Sequence, residues 1–296
     1  MHTIIGLGEV LWDVFDDGKV LGGAPCNMAY HVCALGHRGV PLSRVGRDAL
    51  GDDLLASLRS LGLPTELIQR DPAHPTGTVL VKVDAAGAPD FTIVQDVAWD
   101  YMEAGGDWLR AAGAAHAVCF GTLAQRSPVS RAAVRRVLDA AAAAGALIVC
   151  DVNFRQSYYS REVVEDSLAR SAVVKLNQDE VAALRGLLGG PQDEGAFARA
   201  LMAGCGARLV CVTRGAGGCT LYGPGESVSA PVPATRVVDT VGSGDAFTAA
   251  LVIKYLDGRP LETLARAANL MGAFVAGRRG ATPQIPPQVA ERFAAL

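Results

Sequence analysis

Short runs of branched apolar residues alternate along this chain with longer segments whose apolar positions recur every three or four residues. "TIIGLG" (3–8), "HAVCFG" (116–121), "ALIVCDVN" (146–153), "SAVVKLN" (171–177) and "RLVCVTRG" (208–215) are apolar over most of their length, as strands covered on both faces are. Helical patterns lie at 129–144, 162–170, 178–188 and 194–204, and nearer the N-terminus at 27–36 and 51–62. The alternation predicts an α/β fold, a mostly parallel central sheet flanked by helices on both faces. Polar or glycine residues end each strand, and ligands in such folds bind at the carboxyl ends of strands.

One region departs from this rhythm. "TGTVLVKVDAAGAPDFTIVQ" (76–95) holds two β-rich runs joined by "AAGAP" with no helix between them, which predicts a hairpin outside the main sheet. "VLWDVFDDGKVLGG" (10–23) offers a further strand. Segments 10–23 and 76–95 are therefore expected to form a small β lid on a single domain spanning 1–296. Val79, Val81 and Val83 alternate with Leu80 and Lys82, so both lid faces are largely apolar; one can cover a ligand and the other needs a partner, which predicts a homodimer.

Composition narrows the function classes. Half of the 296 residues are hydrophobic, the net charge is −3 and no long basic run occurs, which argues against nucleic acid or an anionic membrane as partner. The longest apolar stretch, "AAAAAGALIVC", is too short to span a bilayer. Seven cysteines without a C-x-x-C pair lie mostly in apolar stretches, which predicts reduced thiols and a cytoplasmic location. There is no Walker A loop, no G-x-G-x-x-G, no G-x-S-x-G and no metal-ligand spacing among the five histidines.

Four stretches carry candidate chemistry. "DTVGSGD" (239–245) stands just before the apolar helical run "AFTAALVI". It reads either as a helix cap or as an anion site, with free N–H groups facing a phosphate and Asp245 beside them. "KLNQDE" (175–180) reads as a capping box of Asn177 and Glu180, or as an anchor for hydrated Mg²⁺. "VTRGAGG" (212–218) offers Thr213 and Gly215 as a turn or a phosphate contact. Asp13, then Gly22 and Gly23 before a helix carrying Asn27, supply the acceptor, donor and space that polyol recognition needs.

In their order, these pieces resemble the ribokinase-like (PfkB) family of carbohydrate kinases. The likeness runs from "GLGEVLWD" and "GGAPCNMA" through "GRDALGDDL", "DVNFR", "KLNQDE" and "VTRGAGG" to "DTVGSGDAF" and "AANLMGAFVAGRRGA". "GEVLWD", "GGAP-x-N" and "D-x-N-x-R" look most like bacterial fructokinases. The resemblance implies that Asp245 is the catalytic base and that Gly242, Ser243 and Gly244 form an anion hole. The family usually carries Ala or Gly where Ser243 stands. It further implies that Asp13, Gly22, Gly23, Asn27 and Arg155 bind the sugar, Arg155 also reaching the γ-phosphate. Asn177 and Glu180 would organise Mg²⁺ through water; Thr213 and Gly215 would line the ATP phosphates, with Asn269 and Gly272 near the adenine. Asp239 and the "GRRGA" loop match a K⁺ site of many members, and the lid of this family often pairs between subunits.

The expected activity is ATP-dependent phosphorylation of a sugar hydroxyl, fructose first. The alternatives are 2-keto-3-deoxygluconate kinase, a nucleoside kinase, or a catalytically silent sugar- or nucleotide-binding regulator on the same fold.

Overall fold

Successive side chains of a strand point to opposite faces of its sheet. In β1 (Thr3–Leu7), Ile5 and Leu7 enter one core and Ile4 the other. The computed structural model describes residues 1–83 and 89–296. After β1 come β2 (Leu11–Phe15), β3 (Gly18–Gly22), α1 (Ala24–Ala34), β4 (Arg38–Gly46), α2 (Ala49–Ser60), β5 (Ile68–Asp71), β6 (Thr78–Val83) and β7 (Pro89–Ile93). The middle of the chain holds α3 (Gly106–Gly113), β8 (Ala117–Phe120), α4 (Pro128–Ala143), β9 (Leu147–Asp151), α5 (Arg161–Ala169), β10 (Val173–Asn177) and α6 (Gln178–Leu188). The remainder is α7 (Glu194–Cys205), β11 (Leu209–Thr213), β12 (Cys219–Gly223), β13 (Glu226–Ala230), α8 (Ser243–Leu256), α9 (Leu261–Ala276) and α10 (Pro287–Ala294).

Nine strands form the main sheet in the order β13-β12-β11-β10-β9-β8-β1-β4-β5. Pairing is parallel from β11 through to β5, and β12 alone is reversed, pairing antiparallel with both β11 and β13. The expected mostly parallel sheet is present. Side chains of α4, α6 and α7 pack with Val118, Ile148, Val174 and Val210 on one face; α8 and α9 pack with Ala117, Val149, Val173 and Leu209 on the other. The chain leaves β1 for β4 on one side and reaches β8 on the other, so strand order reverses there. A crevice opens at such a reversal, beyond the carboxyl ends of the strands.

The expected second sheet is present too, in the order β3-β2-β6-β7. Segment 10–23 supplies a two-stranded hairpin rather than the single strand read from the sequence. Most of the "AAGAP" connection lies outside the described residues. Val79, Val81 and Ile93 pack into the core, and on the opposite face Trp12 packs against residues of α2, with Val14 and Leu21 beside it. The two lid faces are therefore less open than alternation alone suggests: among the described residues, Val20, Leu80 and Phe91 are the sheet's large apolar side chains left exposed. Strand pairing in register puts Val20 and Phe91 on the face that carries Asp13, and Leu80 on the reverse.

Among the described residues, no helix is long and apolar enough to cross a membrane, and all seven cysteines are free.

Candidate active site

The first turn of α8 lies at the centre of the crevice. Gly242 is its N-cap with φ 77°, left-handed backbone that glycine adopts without strain. A Cβ there would also stand 2.5 Å from the Ala281 backbone. Gly244, already helical, lies close to a charge: a Cβ there would stand 3.2 Å from Lys175 Nζ. The Ser243 N–H turns back to the Thr240 carbonyl at 3.2 Å, whereas the N–H groups of Gly242, Gly244 and Asp245 find no backbone acceptor among the described residues. The open donors are thus Gly242, Gly244 and Asp245, not the Gly242–Ser243–Gly244 set expected from the motif. They sit at the positive end of a 14-residue helix, an arrangement suited to an anion.

Asp245 projects from that turn toward the other side. Asn27, in the first turn of α1, donates from Nδ2 to Asp245 Oδ2 at 2.9 Å. Enclosure by protein pushes the Asp245 carboxyl up to about 6, against the Asn27 bond, and the nearby Asp151 charge pushes the same way. Asn27 Oδ1 is buried without a partner among the described residues. Such an orphan costs stability unless a ligand donor meets it. Asp13, on β2, is pushed up to about 6 by burial, with the Arg155 charge opposing. Gly22 leaves room for that carboxylate, since a Cβ there would lie 2.6 Å from Asp13 Oδ2. Gly23 caps α1 with φ 112°, and a Cβ there would stand 2.5 Å from the Glu9 carbonyl oxygen. Arg155 itself is exposed, but its charge acts on Glu9, Asp13 and Asp245 together. The structure therefore links these residues pairwise: Asn27 bonds Asp245, Gly22 adjoins Asp13, and the Arg155 charge reaches both carboxylates.

On the far side of the same helical turn is a groove of about 340 Å³, lined by Thr213, Gly215, Ser243, Gly244, Asn269 and Gly272 among others. Here too residues distant in sequence converge as expected. Asn269 is held as part of the wall: its Nδ2 donates to the carbonyls of Ala230 at 2.9 Å and Pro231 at 3.2 Å. Asp245 thus lines one pocket while Ser243 and Gly244 of the same helical turn line the groove.

The comparisons agree with that geometry. The model of the pfkB family carbohydrate kinases matches residues 4–288. This chain belongs to the pfkB family of carbohydrate kinases. A fructokinase of Vibrio alginolyticus is 30% identical over 314 residues, 97% of each chain being covered. The fructokinase of Xylella fastidiosa, solved with bound ATP, superposes with a TM-score of 0.87 at 24% identity, covering 99% of this chain and 98% of that one. An uncharacterized sugar kinase of Pyrococcus horikoshii in complex with ATP gives a TM-score of 0.82 at 28% identity over 98% and 99%.

In this kinase Asn177 and Glu180 make a full capping box at the start of α6. The Asn177 side chain accepts from Glu180 N at 2.8 Å, and Glu180 Oε2 accepts from Asn177 N at 2.7 Å. Glu180 Oε1 takes the Phe154 N–H at 3.0 Å. Burial raises the Glu180 carboxyl, and the Lys175 ammonium opposes it. Among the described residues no cluster of three or more His, Cys, Asp or Glu could hold a metal directly. Asp239 is a loop staple: Oδ1 accepts from Val241 N and Oδ2 from Gly280 N, each at 3.0 Å, tying the anion loop to "GRRGA".

Three charged groups at the site escaped sequence reasoning. Lys175 Nζ donates to Asp151 Oδ1 at 3.0 Å, both side chains nearly buried. Asp151 Oδ2 lies 2.8 Å from Thr248 Oγ1 in α8. Glu9, 5% exposed, has its carboxyl pushed up to about 7 by burial. The available signal was a charge inside or just after an apolar strand run: "GLGE", "LIVCD" and "VVK".

Proposed function

We propose that this ATP-dependent carbohydrate kinase transfers the γ-phosphoryl group of ATP to a hydroxyl of a neutral sugar, with fructose the preferred acceptor. The observation that carries this reading is the first turn of α8, whose Ser243 and Gly244 border the groove while Asp245 accepts from Asn27 and lines a separate pocket with Glu9 and Asp151. In this reading the groove takes the nucleotide. Asp245, oriented by Asn27, takes the proton from the attacking hydroxyl. The open N–H groups at the start of α8 stabilise charge on the transferred phosphoryl group, where fixed dipoles need no reorganisation. The orphaned Asn27 Oδ1 accepts from a second sugar hydroxyl. Val20 and Phe91 close over the sugar and exclude water.

Mg²⁺ would neutralise charge on the nucleotide phosphates. Each Glu180 oxygen already accepts one backbone N–H, so the residues fit a hydrated ion whose waters use the remaining lone pairs of Glu180 and Asn177, not direct ligation. K⁺ would sit against the loops that Asp239 joins. The free thiols fit a reducing cytoplasm. Leu80, exposed on the reverse of the small sheet, is the contact for a homodimer.

Electrostatics favour a neutral sugar over 2-keto-3-deoxygluconate. Asp245 acts on Glu9, and Asp151 acts on Asp245 and Glu180; Arg155 opposes the charges of Glu9, Asp13 and Asp245, and Lys175 those of Glu180 and Asp245. A substrate carboxylate would enter that field with Arg155 alone to meet it. The test is ADP release from Mg-ATP across ketoses, aldoses, keto-acids and nucleosides. The highest kcat/KM is expected for fructose; preference for the keto-acid overturns the acceptor, and turnover of none makes the chain a silent binding protein.

A further inference from the structure

Two charges lie where the sheet should be apolar. Strand alternation sends Val149 and Val173 under α8, and two residues on, Asp151 and Lys175 follow them into the same layer. They are register partners on β9 and β10. Replacing a buried ion pair by apolar residues of similar volume is often neutral or stabilising, so fold stability does not account for this pair.

Its connections run to the anion loop. Asp151 Oδ2 lies 2.8 Å from Thr248 Oγ1, which is 2.9 Å from the Gly244 carbonyl. Lys175 Nζ donates to Asp151 Oδ1, and its other two donors have no acceptor among the described residues. The same nitrogen is 3.2 Å from where a Gly244 side chain would begin. The absence of that side chain lets a fixed positive charge touch the backbone of the loop. The Asp151 and Glu180 charges hold the ammonium protonated against its burial.

We infer that Lys175 is a positioning residue for phosphoryl transfer: through Asp151 and Thr248 it fixes the first turn of α8, and it sets a positive charge directly behind Gly244. The inference rests on the reading of that turn as the transfer site. A charge at this depth acts on the phosphoryl group as negative charge builds, and much less on a sugar or nucleotide merely bound, so it belongs to kcat and not to KM.

The test compares Lys175→Met with Lys175→Met/Asp151→Leu, which removes both charges and leaves no unpaired carboxylate to unfold the chain. Asp245→Asn runs in parallel. In steady-state assays with Mg-ATP and the best sugar of the panel, both Lys175 variants should lose at least about tenfold in kcat, with both KM values within about threefold. The double variant should melt no lower than wild type. Recovery of the double variant to within threefold of wild-type kcat would show that the pair serves packing alone, and overturn the inference. So would a loss confined to KM. If Asp245→Asn keeps wild-type kcat, the transfer-site reading itself fails, whatever Lys175 does; if it is inactive while the double variant is normal, only the role of Lys175 falls.

Discussion

Asn27 Nδ2 stands 2.9 Å from Asp245 Oδ2, joining two residues 218 positions apart. One donor of the amide orients the carboxylate, and its carbonyl oxygen is buried with no partner among the described residues. Asn27→Leu should therefore raise KM for the sugar about tenfold or more, the scale of a hydrogen bond in a desolvated site. KM for ATP should stay within about twofold. Steady-state kinetics with each substrate varied in turn checks both, and an unchanged sugar KM would remove Asn27 from the sugar site.

Asp245→Asn should lower kcat by at least about 10²-fold, the scale of a lost general base. It should also stabilise the fold at pH 7.5. The folded carboxyl titrates at about 6 against an ordinary 3.8, so the folded chain binds that proton more tightly than the unfolded one. The stabilisation is complete below 3.8 and is lost as pH rises through about 6, leaving ionised Asp245 as a cost at pH 7.5. A melting temperature about 2 °C or more above wild type is expected by calorimetry at that pH. Lower stability would mean that Asp245 is a structural cap.

The acid limb of kcat/KM for the sugar reports the same group in the free enzyme. Asp245 and Asp13 both take up protons near pH 6, so activity should fall below that pH with a logarithmic slope above one. Asp13→Asn should reduce the slope to one. A flat profile between pH 5 and 8 would contradict a carboxylate base with this environment.

Gly242→Ala should damage both fold and activity. The new Cβ would lie 2.5 Å from the Ala281 backbone, on a residue whose φ of 77° is already strained for alanine. A loss of about 1–3 kcal/mol in chemical denaturation is expected, together with reduced kcat. Wild-type stability would show that the loop moves freely around this position.

Leu80→Asp tests the homodimer more cleanly than a change at Val81, which is 3% exposed and faces the core. Sedimentation at micromolar concentration should show a dimer for wild type and a monomer for the variant. A monomeric wild type removes the dimer.

Where local physics decides, the sequence was easy to read. Helix α6 runs over 178–188 as its pattern indicates, because its start is a capping box contained within four residues. The strand and helix alternation likewise forces a covered parallel sheet, since apolar runs of that length must be buried on both faces. The ordered motifs carried the family. Other features were half legible. Segment 10–23 looked like one strand because "FDDG" marks a turn only once Leu11 and Gly22 are seen to pair. Both lid faces looked open because alternation names the residues on a face but not what covers it; α2 and the main core cover most of them.

The sequence by itself determined the architecture and the kinase family, and singled out Asp245, Asn27 and the glycine loop as candidates, through patterns that need only near neighbours. Tertiary structure alone decided which backbone donors stay open, since Ser243 spends its N–H on Thr240. It also decided that Lys175 Nζ lies 3.2 Å from where a Gly244 side chain would begin, and that Asp151 and Lys175 form a pair. These depend on strand register and on the seating of α8 over β9 and β10. A charge's partner, and hence its role, is set by distances across the sheet that no spacing along the chain encodes.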